Sequence, residues 1–218
     1  MNNLPVSEIF ESIQGEGPFI GKRAVFLRLA FCNLKCSFCD TDYTWKGEIK
    51  YKRMSLKEVE EKILKYNINH LVITGGEPLL WEKFFFPLVE NLLAKRFLIE
   101  VETNGTIESF LPQDVHFNVS PKLSNSGEPY EKRIKINVLK SFNKREKAIF
   151  KFVIEKEEDI YEVLDLKEKL NIENKKIYLM PESRNIKELI ERKRTVFELS
   201  KKFGFKFSDR LHILMGVR

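Results

Sequence analysis

Cysteine and histidine are both scarce in this 218-residue chain, with three of each. All the cysteines fall between Cys32 and Cys39, so none is left elsewhere to build a disulfide framework. No apolar run reaches the roughly 18 residues that a membrane-spanning helix needs, and no membrane partner is expected. The opening Met1-Asn2-Asn3-Leu4-Pro5 has neither the basic nor the apolar region of a signal peptide. With clustered thiols and no secretion signal, a reducing cytoplasm is the expected location. Low-complexity tracts, internal repeats and linker-like composition shifts are also missing, which points to one domain over residues 1–218. Acidic residues are outnumbered 32 to 38, for a net charge of +6. That excess could suit an anionic small molecule or a nucleic acid. It is spread along the chain, however, and its densest stretch, Lys132 to Lys147, reads as a solvated face, so no nucleic-acid partner is expected.

What is present is a 43% hydrophobic composition with 18 phenylalanines, enough for a sizeable core. Strand-like apolar runs alternate with amphipathic helical ones. Strands are expected at Ala24–Leu29, His70–Thr74, Phe97–Glu102, Val115–Val119, Ile149–Ile154 and Ile177–Met180, with a final edge strand within Phe205–Leu214. Ser55-Leu56-Lys57-Glu58 is a capping-box signature for a helix running to about Tyr66, with Val59, Ile63 and Leu64 on one face. Further helices are expected over Glu82–Lys95, weakened by Pro87, over Asp159–Leu170, with Ile160, Val163, Leu164 and Leu170 apolar, and over Ile186–Phe203, stopped by Gly204. Ser124 to Pro129 is a loop by composition. Strand–helix alternation implies parallel strands joined by helical crossovers. Six are too few for a full eight-stranded barrel, so the expected α/β fold is an incomplete TIM-like barrel, with a doubly wound open sheet as the alternative.

The cysteines form C-x3-C-x2-C, in the run Cys32-Asn33-Leu34-Lys35-Cys36-Ser37-Phe38-Cys39-Asp40-Thr41. Three thiolates in one short loop suit a metal or an iron–sulfur cluster. A [4Fe–4S] cluster normally takes four cysteines, so three would leave one iron open. The competing reading is structural zinc, completed by His70, His116 or His212, although no histidine lies near the triad in sequence.

Three more polar clusters follow the carboxyl ends of successive strands: Thr74–Pro78, Glu102–Gly105 and Ser120–Lys122. In parallel α/β folds that edge binds ligands, so together with the cysteines they argue for one composite site. Gly75-Gly76 would let a ligand approach the backbone and take hydrogen bonds from it, unless the pair is a simple turn. Glu77 could accept from an ammonium group, Glu102 and Asn104 could bind ribose hydroxyls, and Ser120 and Lys122 could reach further polar atoms. Upstream, Gln14 and Glu16 offer polar atoms near the rim. Arg28, inside an apolar strand, either grips a carboxylate in a cavity or pairs with a nearby acid.

In sequence order, the Cys32-x3-Cys36-x2-Cys39 motif and Gly75-Gly76-Glu77-Pro78 resemble the radical S-adenosylmethionine (SAM) superfamily. More narrowly, Glu8–Gly17, Arg28-Leu29, Cys32–Thr41, Thr74–Leu80, Glu102–Thr106, Ser120-Pro121-Lys122 and Phe207-Ser208-x-Arg210-Leu211-His212 resemble the 7-carboxy-7-deazaguanine synthase family. The resemblance implies that Cys32, Cys36 and Cys39 hold a [4Fe–4S] cluster whose open iron chelates SAM. It further implies conversion of 6-carboxy-5,6,7,8-tetrahydropterin to 7-carboxy-7-deazaguanine, with loss of ammonia and regeneration of SAM, in queuosine and 7-deazapurine synthesis. Residue by residue, Phe38, Cys39, Asp40, Gly76, Ser120, Pro121 and Lys122 match SAM-contacting positions. Ile13, Gln14, Gly15, Arg28 and Thr74 match positions that contact substrate, and Thr41 matches a Mg2+ ligand. The family also implies a homodimer and an electron donor such as flavodoxin or ferredoxin. Phe31 departs from the glycine usual before the first cysteine, and the ending Leu214–Arg218 is abbreviated. Two readings compete. An activase of a glycyl radical enzyme would share the cysteines and the glycine turn but needs neither Gln14–Gly17 nor Cys39-Asp40-Thr41. A zinc- or cluster-stabilised RNA-binding domain would require clustered basic and aromatic surface residues.

Overall fold

The computed structural model describes residues 3–217. Nine strands form one sheet: β1 Asn3–Ile13, β2 Arg23–Leu29, β3 Lys52–Ser55, β4 His70–Gly75, β5 Leu98–Thr103, β6 His116–Val119, β7 Ala148–Ile154, β8 Ile177–Pro181 and β9 Lys206–Phe207. Their order is β3-β1-β2-β4-β5-β6-β7-β8-β9. From β2 onward every pairing is parallel, whereas β1 pairs antiparallel with β2 on one side and with the edge strand β3 on the other. The sheet does not close between β9 and β3, so the fold is an incomplete TIM-like barrel.

The helices are α1 Leu56–Leu64, α2 Glu82–Ala94, α3 Tyr130–Arg133, α4 Ile136–Asn143, α5 Asp159–Leu170, α6 Ile186–Phe203 and α7 Leu211–Met215. The capping box at Ser55 and Glu58 forms in both directions, and Gly204 ends α6 at φ 67°. Pro87 lies inside α2. No helix of the described residues is long and apolar enough to cross a membrane.

Side-chain alternation explains both the core and the site. Leu27, Leu29, Leu71, Ile73, Ile99, Val101, Phe117, Val119, Phe150, Phe152, Ile177 and Leu179 belong to one hydrophobic core with the buried helix residues. Their strand neighbours Arg28, Glu100, Glu102, Asn118 and Lys151 point to the opposite, concave face, because successive side chains of a strand alternate. The sheet is therefore apolar toward its helices and polar inside.

The six expected parallel strands are β2 and β4–β8. Four expectations need correction. The stretch before Ala24 contains the 11-residue strand β1, which carries Pro5 and a register shift between Val6 and Glu8 and so shows no clean alternation. Only Lys206–Phe207 of the expected Phe205–Leu214 strand pairs with β8, because Leu211 N then donates to Gly15 O (2.9 Å) and the chain turns into α7. Helix α1 stops at Leu64, which is exposed, while Val59 and Ile63 are buried. The basic run 132–147 is solvated at Lys132, Lys135, Lys140 and Lys144 but holds the helices α3 and α4 and two buried arginines. Arg133 donates to the carbonyls of Glu128 and Lys122, and Arg145 to those of Ser109, Leu111 and Pro112.

Candidate active site

The carboxyl ends of β2, β4, β5 and β6 bring the four polar clusters to one mouth, where a cavity of about 690 Å3 opens. The loop after β2 enters through Phe31, a non-glycine residue at φ 77°. Phe31 N donates to Thr44 O (2.8 Å), and its ring lies against Tyr51 and Trp81 at centroid distances of 5.1 and 5.9 Å. Packing thus holds a left-handed conformation that costs an L-residue about 1–2 kcal/mol.

Gly75 and Gly76 are required by that loop. A Cβ on Gly75 would fall 2.0 Å from Leu29 O, and one on Gly76 2.0 Å from Phe31 O. Gly76 N donates to Leu29 O (3.0 Å) and Glu77 N to Phe31 O (2.9 Å). These N–H groups clamp the cysteine loop rather than offer themselves to a ligand.

Glu77 corrects the expectation from sequence. It is completely buried and absent from the cavity lining, and its oxygens accept from Leu79 N (3.0 Å), Thr103 Oγ1 (2.8 Å) and Asn104 N (2.7 Å). Burial raises its carboxyl to about 7 against those hydrogen bonds. Glu77 ties the loops after β4 and β5 together from beneath. Asn104, which does line the cavity, donates to Asn33 Oδ1 (2.9 Å) and so braces the residue after Cys32.

Cys32, Cys36 and Cys39 are free thiols, and all three line the cavity. Burial pushes the Cys32 thiol up to about 12 and raises that of Cys36. A single tetrahedral zinc bound at about 2.3 Å would need its sulfurs within roughly 4 Å of one another. Among the described residues, the one group of three or more His, Cys, Asp or Glu ligand atoms within 4.8 Å is Glu16, Asp40 and His212, with no cysteine in it. The three thiols share one roomy cavity, which fits a cluster. The Glu16 and Asp40 carboxylates are themselves bridged by the Arg210 guanidinium, so that group is an ion-pair network and not a cation site.

The other expected residues divide. Ile13, Gln14, Gly15, Arg28, Phe38, Asp40, Thr41, Thr74, Gly76, Glu102, Ser120 and Lys122 line the cavity; Pro121 is buried beside it. Arg28 pairs with a nearby acid, its Nε 3.6 Å from Glu8 Oε2, and it also lines the cavity, its guanidinium 5.5 and 5.9 Å from the ring centroids of Phe10 and Tyr43. Gln14 donates through Nε2 to Glu100 (3.3 Å) and Glu102 (3.4 Å), and its Oε1 accepts from Glu16 N (3.3 Å). Thr41 Oγ1 lies 3.5 Å from Gly75 O. Ser120 Oγ accepts from Lys122 Nζ at 2.9 Å.

On the far wall the sequence names Glu16, Glu102 and the motif holding Arg210, but not the lysine that joins them. Lys151 of β7, 3% exposed at its side chain, donates to Glu16 (2.5 Å) and Glu102 (2.9 Å). Arg210 reaches Glu16 (3.1 Å), Asp40 and the carbonyl of Ser183, and Ser208 Oγ accepts from Gly17 N (2.9 Å). The residues after β9 thereby seal one side of the mouth. Burial alone would raise the Glu16 carboxyl, but the Lys151 and Arg210 cations hold it far below the usual carboxylate range. The same lysine is raised, because Glu102 and Glu16 outweigh its burial. Glu102 remains raised by burial despite Lys151. The available signal was a lysine inside the apolar run Ile149–Ile154, the same anomaly that marks Arg28.

The model of the radical SAM superfamily matches residues 27–195. The chain is similar to the 7-carboxy-7-deazaguanine synthase of Hyperthermus butylicus, at 38% identity over 98% of this chain and 93% of that protein. It is 36% identical to the 7-carboxy-7-deazaguanine synthase of Pyrobaculum aerophilum, over 96% of this chain and 93% of that protein. Among solved structures it resembles QueE from Escherichia coli, with a TM-score of 0.77 and 27% identity, over 96% and 95% of the two chains.

Proposed function

The chain belongs to the radical SAM superfamily and, within it, to the 7-carboxy-7-deazaguanine synthase family, and from that premise we propose that it converts 6-carboxy-5,6,7,8-tetrahydropterin to 7-carboxy-7-deazaguanine with release of ammonia. One observation carries the reading: the three free thiols and the candidate substrate residues Gln14, Arg28 and Thr74 line a single cavity at the barrel mouth.

Cys32, Cys36 and Cys39 would hold the [4Fe–4S] cluster. When bound, the cluster supplies the electron that cleaves SAM, and SAM supplies the radical that removes hydrogen from the pterin. Phe38, Asp40, Gly76, Ser120 and Lys122 form the SAM side of the cavity, with Glu102 and Asn104 beside them. Pro121 supports the Ser120–Lys122 turn from its buried position. Ile13, Gln14, Gly15, Arg28 and Thr74 form the pterin side, where the guanidinium of Arg28 matches the substrate carboxylate in charge and shape. Thr41 presents a hard oxygen suited to Mg2+, which keeps water or substrate oxygens in its shell. Glu16, Lys151 and Arg210 hold the opposite wall in a fixed charge pattern. The working protein is a cytoplasmic single-domain homodimer that draws electrons from a flavodoxin- or ferredoxin-type donor.

The test is anaerobic reconstitution followed by addition of SAM, a reductant, Mg2+ and the carboxylated tetrahydropterin. Release of ammonia and a deazaguanine is expected. SAM cleavage without either product would overturn the substrate assignment, and absence of bound iron and sulfide would overturn the cluster.

A further inference from the structure

Trp45 occupies a position the proposed reaction does not use. Its indole Nε1 lies 3.3 Å from Cys39 Sγ. The turn Asp42–Thr44 sets this geometry: Thr44 N and Oγ1 both return to Thr41 O, at 2.9 and 2.7 Å, and Trp45 N reaches Asp42 O at 3.0 Å. Phe31 N in turn holds Thr44 O, so the strained loop entry and the turn fix each other. The indole therefore meets the sulfur from a short, pinned segment rather than a free side chain.

An indole N–H is only a donor, and a half-buried one ordinarily finds an oxygen. The chain's other tryptophan does so, with Trp81 Nε1 donating to Ala30 O at 3.0 Å. Trp45 instead spends its donor on a sulfur expected to ligate the cluster. A hydrogen bond to a cluster sulfur draws negative charge from it and strengthens when the cluster gains an electron, and such bonds are among the protein's levers on reduction potential.

We propose that Trp45 is a positioning residue that orients Cys39 and raises the reduction potential of the cluster through its N–H···S hydrogen bond. The inference rests on the cluster reading of Cys32, Cys36 and Cys39 given above. It makes one-electron reduction by the partner donor easier, and it is carried by this chain rather than by SAM.

The experiment compares anaerobically reconstituted wild type, Trp45→Phe and Trp81→Phe holoenzymes, with iron and sulfide assayed first. Each is titrated with dithionite while the reduced cluster is followed by electron paramagnetic resonance. At the potential that half-reduces the wild type, the ratio of reduced to oxidised cluster in Trp45→Phe is expected to fall about tenfold, a shift of about 59 mV for one electron. Trp81→Phe is expected to titrate with the wild type. A fully loaded Trp45→Phe that titrates at the wild-type potential overturns the proposal. If Trp45→Phe loads no cluster, wild-type and Trp81→Phe holoenzymes carrying 15N-indole decide. Both are expected to show 15N hyperfine coupling at the reduced cluster, and its absence overturns the hydrogen bond. Wild type that binds no iron and sulfide marks instead the failure of the cluster reading, and the inference falls with it.

Discussion

Replacing Lys151 by methionine removes the one ammonium that Glu16 and Glu102 share, at 2.5 and 2.9 Å, while keeping an unbranched apolar side chain of similar length. At an effective dielectric of about 20, each contact represents a gross attraction of about 6 kcal/mol. Desolvation of the three charges takes back most of it. Breaking a buried pair from one side costs about 3–5 kcal/mol, because a buried charge loses its counter-charge; here Glu102 loses its cation, while Glu16 keeps Arg210 at 3.1 Å. The effect depends on pH in a definite direction. Glu16 is depressed in the folded protein, so its contribution is complete above its ordinary value of 4.5 and is lost as pH falls toward the folded value. Lys151 is raised, so its contribution is complete below its ordinary 10.5 and is lost only as pH rises through the higher folded value. The gap between wild type and variant is therefore widest across neutral pH and narrows in acid, where protonation also relieves the stranded Glu102 carboxylate. Guanidinium unfolding of the cluster-free proteins at about pH 7.5 and about pH 4 measures both. A difference under about 1 kcal/mol at the higher pH, or one of the same size at both, would refute the electrostatic account of the wall.

Three further outcomes are expected. Phe31→Ala keeps a positive φ and loses the contacts with Tyr51 and Trp81, so it should unfold at lower denaturant, whereas Phe31→Gly should recover about 1 kcal/mol of that loss in the same titration. Gly76→Ala places a methyl against Phe31 O, a backbone atom that cannot swing away; iron and sulfide analysis after reconstitution should show loss of cluster. Thr41→Ala should weaken the response of turnover to Mg2+ while iron and sulfide content stays at wild-type levels, and an unchanged Mg2+ titration would contradict the metal role.

The six parallel strands and their long helices could be read from local pattern, since a buried strand must be a short run of branched or aromatic residues and a helix must repeat its apolar face. Even the polar interior left a trace, in Arg28 within Ala24–Leu29 and Glu102 at the end of Phe97–Glu102. β1 did not show itself because its pattern is broken by Pro5 and the shift at Val6/Glu8, and what makes it a strand is pairing with β2 on one side and β3 on the other. α3 and α4 were hidden by a basic composition that reads as solvent-exposed, although carbonyls elsewhere in the fold solvate Arg133 and Arg145.

The chemistry on offer, three thiols in one loop and a row of polar groups at strand ends, is legible in the sequence because residue type and spacing are local properties. Which of those groups meet the cavity depends on contacts between distant segments. Glu77 is turned beneath the loops by donors at Thr103 and Asn104, and Glu16 gains its partners from residues 135 and 194 positions away, Lys151 and Arg210. A buried charge goes where its counter-charge is, and the curvature of the sheet, which no local window contains, determines where that is.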